Sequence, residues 1–179
     1  MRITISGPPG SGKTTVCNKL AARLSYDAVV FGKIFRDIAS ERGLSLSELG
    51  DIAEKDRSID ELIDSRILQL AREKDNVILE SRLSAYMLTR HGIPAFRVYL
   101  EASPEIRIER IGMREGETRE ETLRITAERE MSEAKRYMMY YGIDINDTKI
   151  YDLIVNTDEM DADRVVEKII ESLKVATCL

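Results

Sequence analysis

The residues of this chain best suited to chemistry lie close to its start. In ISGPPGSGKTT, residues 5–15, Gly7, Gly12, Lys13 and Thr14 fill the pattern G-x-x-x-x-G-K-S/T. Glycines let backbone N–H groups curl around an anion, and a helix beginning near Lys13 adds partial positive charge at its N-terminus. Lys13 can neutralise the β and γ oxygens of a nucleotide, and the Thr14 hydroxyl can ligate magnesium. The loop identifies a nucleotide but not the acceptor of its terminal phosphoryl group.

Further charged residues fall where an acceptor would need them. Arg36, in GKIFRDIA, either reaches an acceptor phosphate or is a solvated helix arginine. Glu80 and Arg82, two positions apart, stand at the end of VILESR. There an acid can hold magnesium-bound water or a ribose while the arginine takes a phosphate; a strand-end salt bridge is the alternative. Arg129, Glu133 and Arg136 are spaced i, i+4, i+7, which places them on one helical face. Two guanidiniums fixed by Glu133 between them can stabilise a transferring phosphoryl group, although most such stripes are solvated. Arg107, Arg110 and Arg114 form a second stripe, in which exposure is the expectation for Arg107.

These residues need a scaffold that brings distant segments to one edge. RITIS, AVVF, NVILE, FRVYLE and DLIVN are short β-rich runs, and the segments between them carry apolar residues at helical spacing. The alternation predicts an α/β fold, a parallel five-stranded sheet with helices on both faces. Ser45 with Glu48, Ser58 with Glu61 and Thr118 with Glu121 match capping boxes; Gly43 reads as a helix stop and Pro104 as a first-turn proline. Gly32 to Asn76 reads as three helices (34–42, 46–55 and 59–74), and Pro104 to Tyr141 as two helices around GMREGETREE. Excursions beyond the carboxyl ends of parallel strands are expected to be lids within a single domain.

Composition narrows the function classes. The 179 residues are 43% hydrophobic and 33% charged, with a net charge of −5, which gives no basic surplus for nucleic acid or an anionic membrane. Cys17 and Cys178 are too few for a disulfide framework, and no run approaches a signal segment or a membrane span, so a cytoplasmic protein is expected. A GTPase would need a D-x-x-G turn and an N-K-x-D reader, and neither is present. Motor and transporter ATPases usually have a strand ending in Asp-Glu, where this chain has VILESR. Short length with two excursions points to a small kinase that encloses its acceptor. His91, the only histidine, is expected on a surface loop, and Met138 to Tyr141 are expected to pack in the core.

ISGPPGSGKTT, FGKIFR, VILESRL, RIERIGMREG and EREMSEAKRYMMYYGIDINDTKIYDLIVNT, in that order, make the chain resemble the nucleoside monophosphate kinases, and most closely archaeal-type cytidylate kinases. The resemblance covers almost the whole chain. It implies a P-loop core sheet, an acceptor-binding insert at about residues 33–74 and a LID at about 113–133. It implies transfer from ATP to CMP or dCMP with magnesium, held by Thr14 and, through water, by Glu80, in a monomer acting on small nucleotides. Gly7, Pro8, Pro9, Gly10, Ser11, Gly12, Lys13, Thr14 and Thr15 would cradle ATP, Arg110 would cover its adenine and Arg114 would meet its phosphates. Lys13, Arg129 and Arg136 would carry catalysis. Arg36 and Arg82 would grip the acceptor phosphate, beside Glu80 and Glu133. The loop after DLIVNT would flank the adenine.

Glu80-Ser81-Arg82 is similar to the D-G-R block of cytidylate kinases and lacks the D-G-x-P-R of adenylate kinases. Phe31 and Lys33, flanking Gly32, depart from the small or acidic residue common there, leaving Asp60, Asp64 and Arg66 as base-reading candidates or helix surface. An adenylate or other small-acceptor kinase is the alternative on the same scaffold, and a non-catalytic nucleotide switch is the alternative of another class.

Overall fold

A computed structural model describes residues 1–177; Cys178 lies outside the described residues. In chain order the elements are β1 (Arg2–Ser6), α1 (Lys13–Leu24), β2 (Asp27–Val30), α2 (Phe31–Glu41), α3 (Leu46–Ala53), α4 (Ser58–Glu73), β3 (Val77–Glu80), α5 (Ser84–Arg90), β4 (Phe96–Glu101), α6 (Pro104–Glu115), α7 (Arg119–Tyr141), β5 (Leu153–Asn156) and α8 (Ala162–Thr177). The strands form one sheet in the order β2-β3-β1-β4-β5, and every neighbouring pair is parallel. Because β1 is central and both of its neighbours come later in the chain, the loop after β1 opens into the crevice where ligands bind in such sheets.

Side chains alternate across the strands, and the two faces bury different sets. Ile78 points to a core with Ile3, Ile5, Val98, Leu100 and Val155, covered by Cys17 and Leu20 of α1 and Val165 and Ile169 of α8. Val77 and Leu79 point the other way, to Ile67 and Leu70 of α4, Met87 and Leu88 of α5 and Tyr137 of α7. A small separate core of Ala39, Leu49, Ala53 and Ile59 ties α2, α3 and α4 to each other. Among the described residues no helix is long and apolar enough to cross a membrane.

Local signals mostly hold. Ser45 and Glu48 form the reciprocal capping box, Pro104 opens α6, and Gly43 follows α2 with a φ of +65°. Thr118 caps α7 by accepting from the Glu121 N–H, without the return bond among the capping contacts. Ser58 does not cap α4. It is the first helical residue, and its own N–H donates to Asp56 Oδ1 at 3.0 Å, so Asp56 does the work assigned to it. The second strand ends at Val30, one residue early, because Phe31 already turns into α2 and buries its ring.

The loop after β1 has no room for side chains at two of its glycines. A Cβ on Gly7, at φ +148°, would stand 2.2 Å from the Leu100 carbonyl oxygen of β4. One on Gly10, at φ +81°, would stand 2.6 Å from the Arg107 carbonyl oxygen. Gly7→Ala must push apart backbone in the centre of the sheet and is expected to cost about 1–3 kcal/mol. Thermal unfolding checks this, and an unchanged melting temperature would refute the close approach.

Candidate active site

The residues after β1 turn back on themselves, with Ser11 N–H donating to Pro8 O at 3.3 Å, and run directly into α1. Gly12 precedes α1 at φ +87°, no side chain caps that end, and the first turn holds no acid. The N-terminal N–H groups of α1 are thus presented to an incoming anion. Lys13 Nζ donates to the Pro8 carbonyl at 2.8 Å, which folds the ammonium back over the loop. Burial brings the Lys13 amine down to about 7; Glu80 opposes that fall while Arg82 and Arg129 add to it. A bound polyphosphate would reverse the balance and restore the charge.

One cleft, between this loop, α2, α4 and α7, is lined by Lys13, Thr14, Arg36, Glu80, Arg82, Arg114, Arg129, Glu133 and Arg136. These residues, expected at the site from the sequence, converge in space, while Thr15 and Arg110 line a second hollow. Arg36 comes from the first turns of α2, and its guanidinium is weakened by burial and by the fields of Arg129 and Arg114. Several cations crowded together need an anion between them. Arg114 is more exposed than the others; its Nε donates to Glu115 at 2.7 Å, and it stands between this cleft and the second hollow. That hollow, reached past Gly10, Ser11, Gly12 and Thr15, is walled by Val16, Met160 and Val165. Arg110 crosses its edge, donating to Thr157 Oγ1 at 3.0 Å and Thr157 O at 2.7 Å.

Two pairings differ from the sequence expectation. Glu133 does not lie between Arg129 and Arg136. It accepts from Arg129 Nε at 2.9 Å and from Arg82 Nε at 2.6 Å, while Arg82 also donates to Gly7 O at 2.8 Å. Burial alone would raise the Glu133 carboxyl, but Arg82 and Arg129 override it and bring it down to about 2. Arg136 turns instead to Asp60, 3.0 Å from Nε to Oδ2, an ion pair whose angles are not those of a hydrogen bond. Its guanidinium also lies 5.5 Å from the Phe35 ring centroid. The spacing i, i+4 is met by both Arg129 and Glu133, but the neighbouring helix decides where Arg136 goes.

Other expectations are corrected as well. Arg107 is not solvated: it donates to Glu130 at 2.7 Å and to Pro9 O at 3.1 Å, bracing the phosphate loop from α6. Met138 and Met139 are half exposed rather than core, since they fall on the outer face of α7. Asp60 and Asp64 are not helix surface; both are buried in the cleft wall, whereas Arg66 lies outside it and donates to Gln69. His91 is exposed at the end of α5, its Nδ1 2.9 Å from Met87 O.

A family model described as the cytidylate kinase-like family matches residues 2–159. This chain belongs to that family. It is 47% identical over 159 residues to a protein named cytidylate kinase from Methanosphaerula palustris, covering 88% of this chain and 89% of that one. It is 42% identical over 173 residues to one from Halobacterium salinarum, covering 97% and 89%. Among solved structures, shikimate kinase from Bacteroides thetaiotaomicron superimposes with a TM-score of 0.62 at 18% identity, over 97% of this chain and 98% of that one, a likeness of fold.

Beside the phosphate loop the cleft holds two oxygen donors side by side. Thr14 Oγ1 donates to Glu80 Oε2 at 3.0 Å, and that carboxylate is 4% exposed. One hydroxyl and one buried carboxylate are hard oxygen donors suited to magnesium, which takes its remaining ligands from phosphates and water. No group of three or more His, Cys, Asp or Glu suited to a metal occurs among the described residues. Cys17 is buried, and burial pushes its thiol up to about 12, so it is no nucleophile.

Proposed function

We infer that this member of the cytidylate kinase-like family transfers the terminal phosphoryl group of ATP to CMP or dCMP. The observation that carries the reading is the meeting of Lys13, Arg36, Arg82 and Arg129 in one cleft beside an uncapped helix N-terminus. A hydrolase or a switch can use an arginine on the transferring phosphoryl group, but it has no acceptor phosphate for Arg36 and Arg82 to hold. A kinase joining two polyanions needs them on both sides of the reacting phosphorus.

In this reading the loop from Gly7 to Thr15 cradles the donor phosphates, and the adenine lies in the hollow bounded by Arg110, Thr157 and Met160. Thr14 and, through water, Glu80 would hold magnesium, which would neutralise phosphate charge. Lys13 follows the moving group. Arg36 and Arg82 hold the acceptor phosphate, so that its oxygen faces the donor in line. Arg129, braced through Glu133, approaches the charge that spreads over the equatorial oxygens, where a fixed donor is worth most. The transfer needs little proton chemistry, so the cleft requires no histidine.

Residues 33–74, with their own small core, act as the acceptor-binding insert, and residues 113–133 at the tip of the α6 and α7 pair act as the LID. We place the protein in the cytoplasm as a monomer. The test is ADP release with saturating ATP and magnesium over CMP, dCMP, UMP and AMP. CMP and dCMP are expected to be the best acceptors, UMP slower and AMP poor, with ATP alone hydrolysed very slowly. A specificity constant for AMP at or above that for CMP would overturn the acceptor assignment.

A further inference from the structure

Two buried acids in the cleft have no part in holding phosphate. Asp60 and Asp64 stand four residues apart on α4, on one face of the helix, 4% and 5% exposed, among Phe31, Phe35, Ile63 and Tyr137. Asp60 has the Arg136 guanidinium beside it, yet its buried Oδ2 makes no hydrogen bond. Asp64 has no cation in direct contact among its described partners; the Tyr141 hydroxyl donates to its Oδ2 at 2.5 Å. A carboxyl pair lining an apolar slot is costly unless something completes it.

The charged neighbours differ for the two acids. Asp64 feels Asp60 and Glu61 from α4 itself and Arg136 and Tyr141 from α7; Asp60 feels Arg136 and Glu133, both from α7; Tyr137 of α7 lines the same cleft, and α2 brings Arg36 into it. Arg57, at the start of α4, lies over the Tyr141 ring, and Arg90 of α5 ends on the Tyr141 carbonyl. Glu54, the residue just after α3, is paired with Lys135. Arg136 therefore serves Asp60 first, and Asp64 is the acid left to keep a proton.

We propose that Asp60 and Asp64 read the amino edge of cytosine: the Asp60 carboxylate accepts from the N4 amino group while the protonated Asp64 carboxyl donates to N3. This rests on the acceptor assignment above. An acceptor and a donor side by side complement an amine next to a bare ring nitrogen. Uracil reverses both, placing its O4 lone pairs against the Asp60 charge. Adenine shares the amino pattern, so the pair separates amino from oxo bases and leaves purine exclusion to the shape of the slot. Burial raises both acids, Asp60 to about 6 with Arg136 resisting and Asp64 to about 7 with the Tyr141 bond resisting, in keeping with the roles assigned.

The sign of the pH dependence follows. As pH rises Asp64 loses its proton, can no longer donate to N3 of cytosine, and becomes an acceptor for N3–H of uracil. The ratio of kcat/KM for CMP to that for UMP is therefore expected to fall as pH rises from about 7 to 9, above the range in which Asp60 is still gaining its charge. Taking the ratio cancels the ionisation of the acceptor phosphate and of Lys13, which both substrates share.

The experiment measures this ratio across pH for the wild type, Asp64→Asn and Asp60→Asn. Asp64→Asn, whose amide donates at every pH, is expected to keep the preference for CMP and flatten the profile. Asp60→Asn is expected to lower the ratio about 10- to 100-fold at all pH values. Melting curves accompany both; Asp64→Asn removes an acid costly to ionise and is expected to fold at pH 8 at least as well as the wild type. A wild-type preference for CMP that is flat with pH and survives Asp60→Asn overturns the proposal and leaves the kinase assignment standing. A wild type that phosphorylates no monophosphate overturns both.

Discussion

Lys13→Ala is expected to lower kcat by about 10³-fold without lowering the melting temperature. The two halves of the prediction have separate causes. Lys13 Nζ reaches only a loop carbonyl, Pro8 O at 2.8 Å, and the loop takes its shape from glycines and from Arg107 rather than from the lysine. Its amine falls from the ordinary lysine range to about 7, chiefly through burial, so the folded protein binds that proton less tightly than the unfolded chain. The penalty is present below the unfolded pKa and grows as pH falls towards 7. Removing the side chain removes the penalty, and the variant should melt at or slightly above the wild type at neutral pH. Turnover within tenfold of wild type would reject the role of the loop in transfer.

Glu133→Gln is expected to destabilise the protein by about 3–5 kcal/mol, because it strips the shared counter-charge from two largely buried guanidiniums. The Arg82, Arg129 and Glu133 side chains are 14%, 24% and 7% exposed, so water replaces the lost carboxylate only in part. For a chain of this length the loss corresponds to a fall on the order of 10 °C in melting temperature. The acid limb carries a second signature. The Glu133 carboxyl is held at about 2, well below its unfolded value, so its contribution is present at neutral pH and is lost as pH falls from about 4.5 towards 2. The variant should show a flatter stability profile over that interval. Equal melting temperatures at pH 7 for variant and wild type would show that the pair holds nothing together.

The sheet, its helical coverings and the phosphate loop were legible in the sequence because each rests on local physics. Strand runs such as VILE and FRVYLE, the Ser45 box and the positive-φ glycines report the backbone of their own segment. Lys13, Thr14, Glu80 and Arg82 of the cleft were legible too, since a helix start and a strand end face the crevice whatever their partners. Partner choice was not. The stripe of Arg129, Glu133 and Arg136 looks like one network along α7, but Arg82 comes from the end of β3 and claims Glu133, and Asp60 comes from α4 and claims Arg136. Arg107 looked solvated because only the fold brings Pro9 against α6. The burial of Asp60 and Asp64 had no local signal beyond their helical spacing, because the helix that covers them lies some seventy residues further along the chain.

The 23 residues of α7 form one rod of about 34 Å, packed against α6 on one side and α3 on the other. It offers Arg129 towards the phosphate loop and Arg136 and Tyr141 towards the acids of α4. A phosphoryl donor and an acceptor bound on the two sides of this cleft would therefore touch one helix. Any change that one makes in the affinity of the other is then reciprocal by thermodynamic necessity, the same factor whichever is added first.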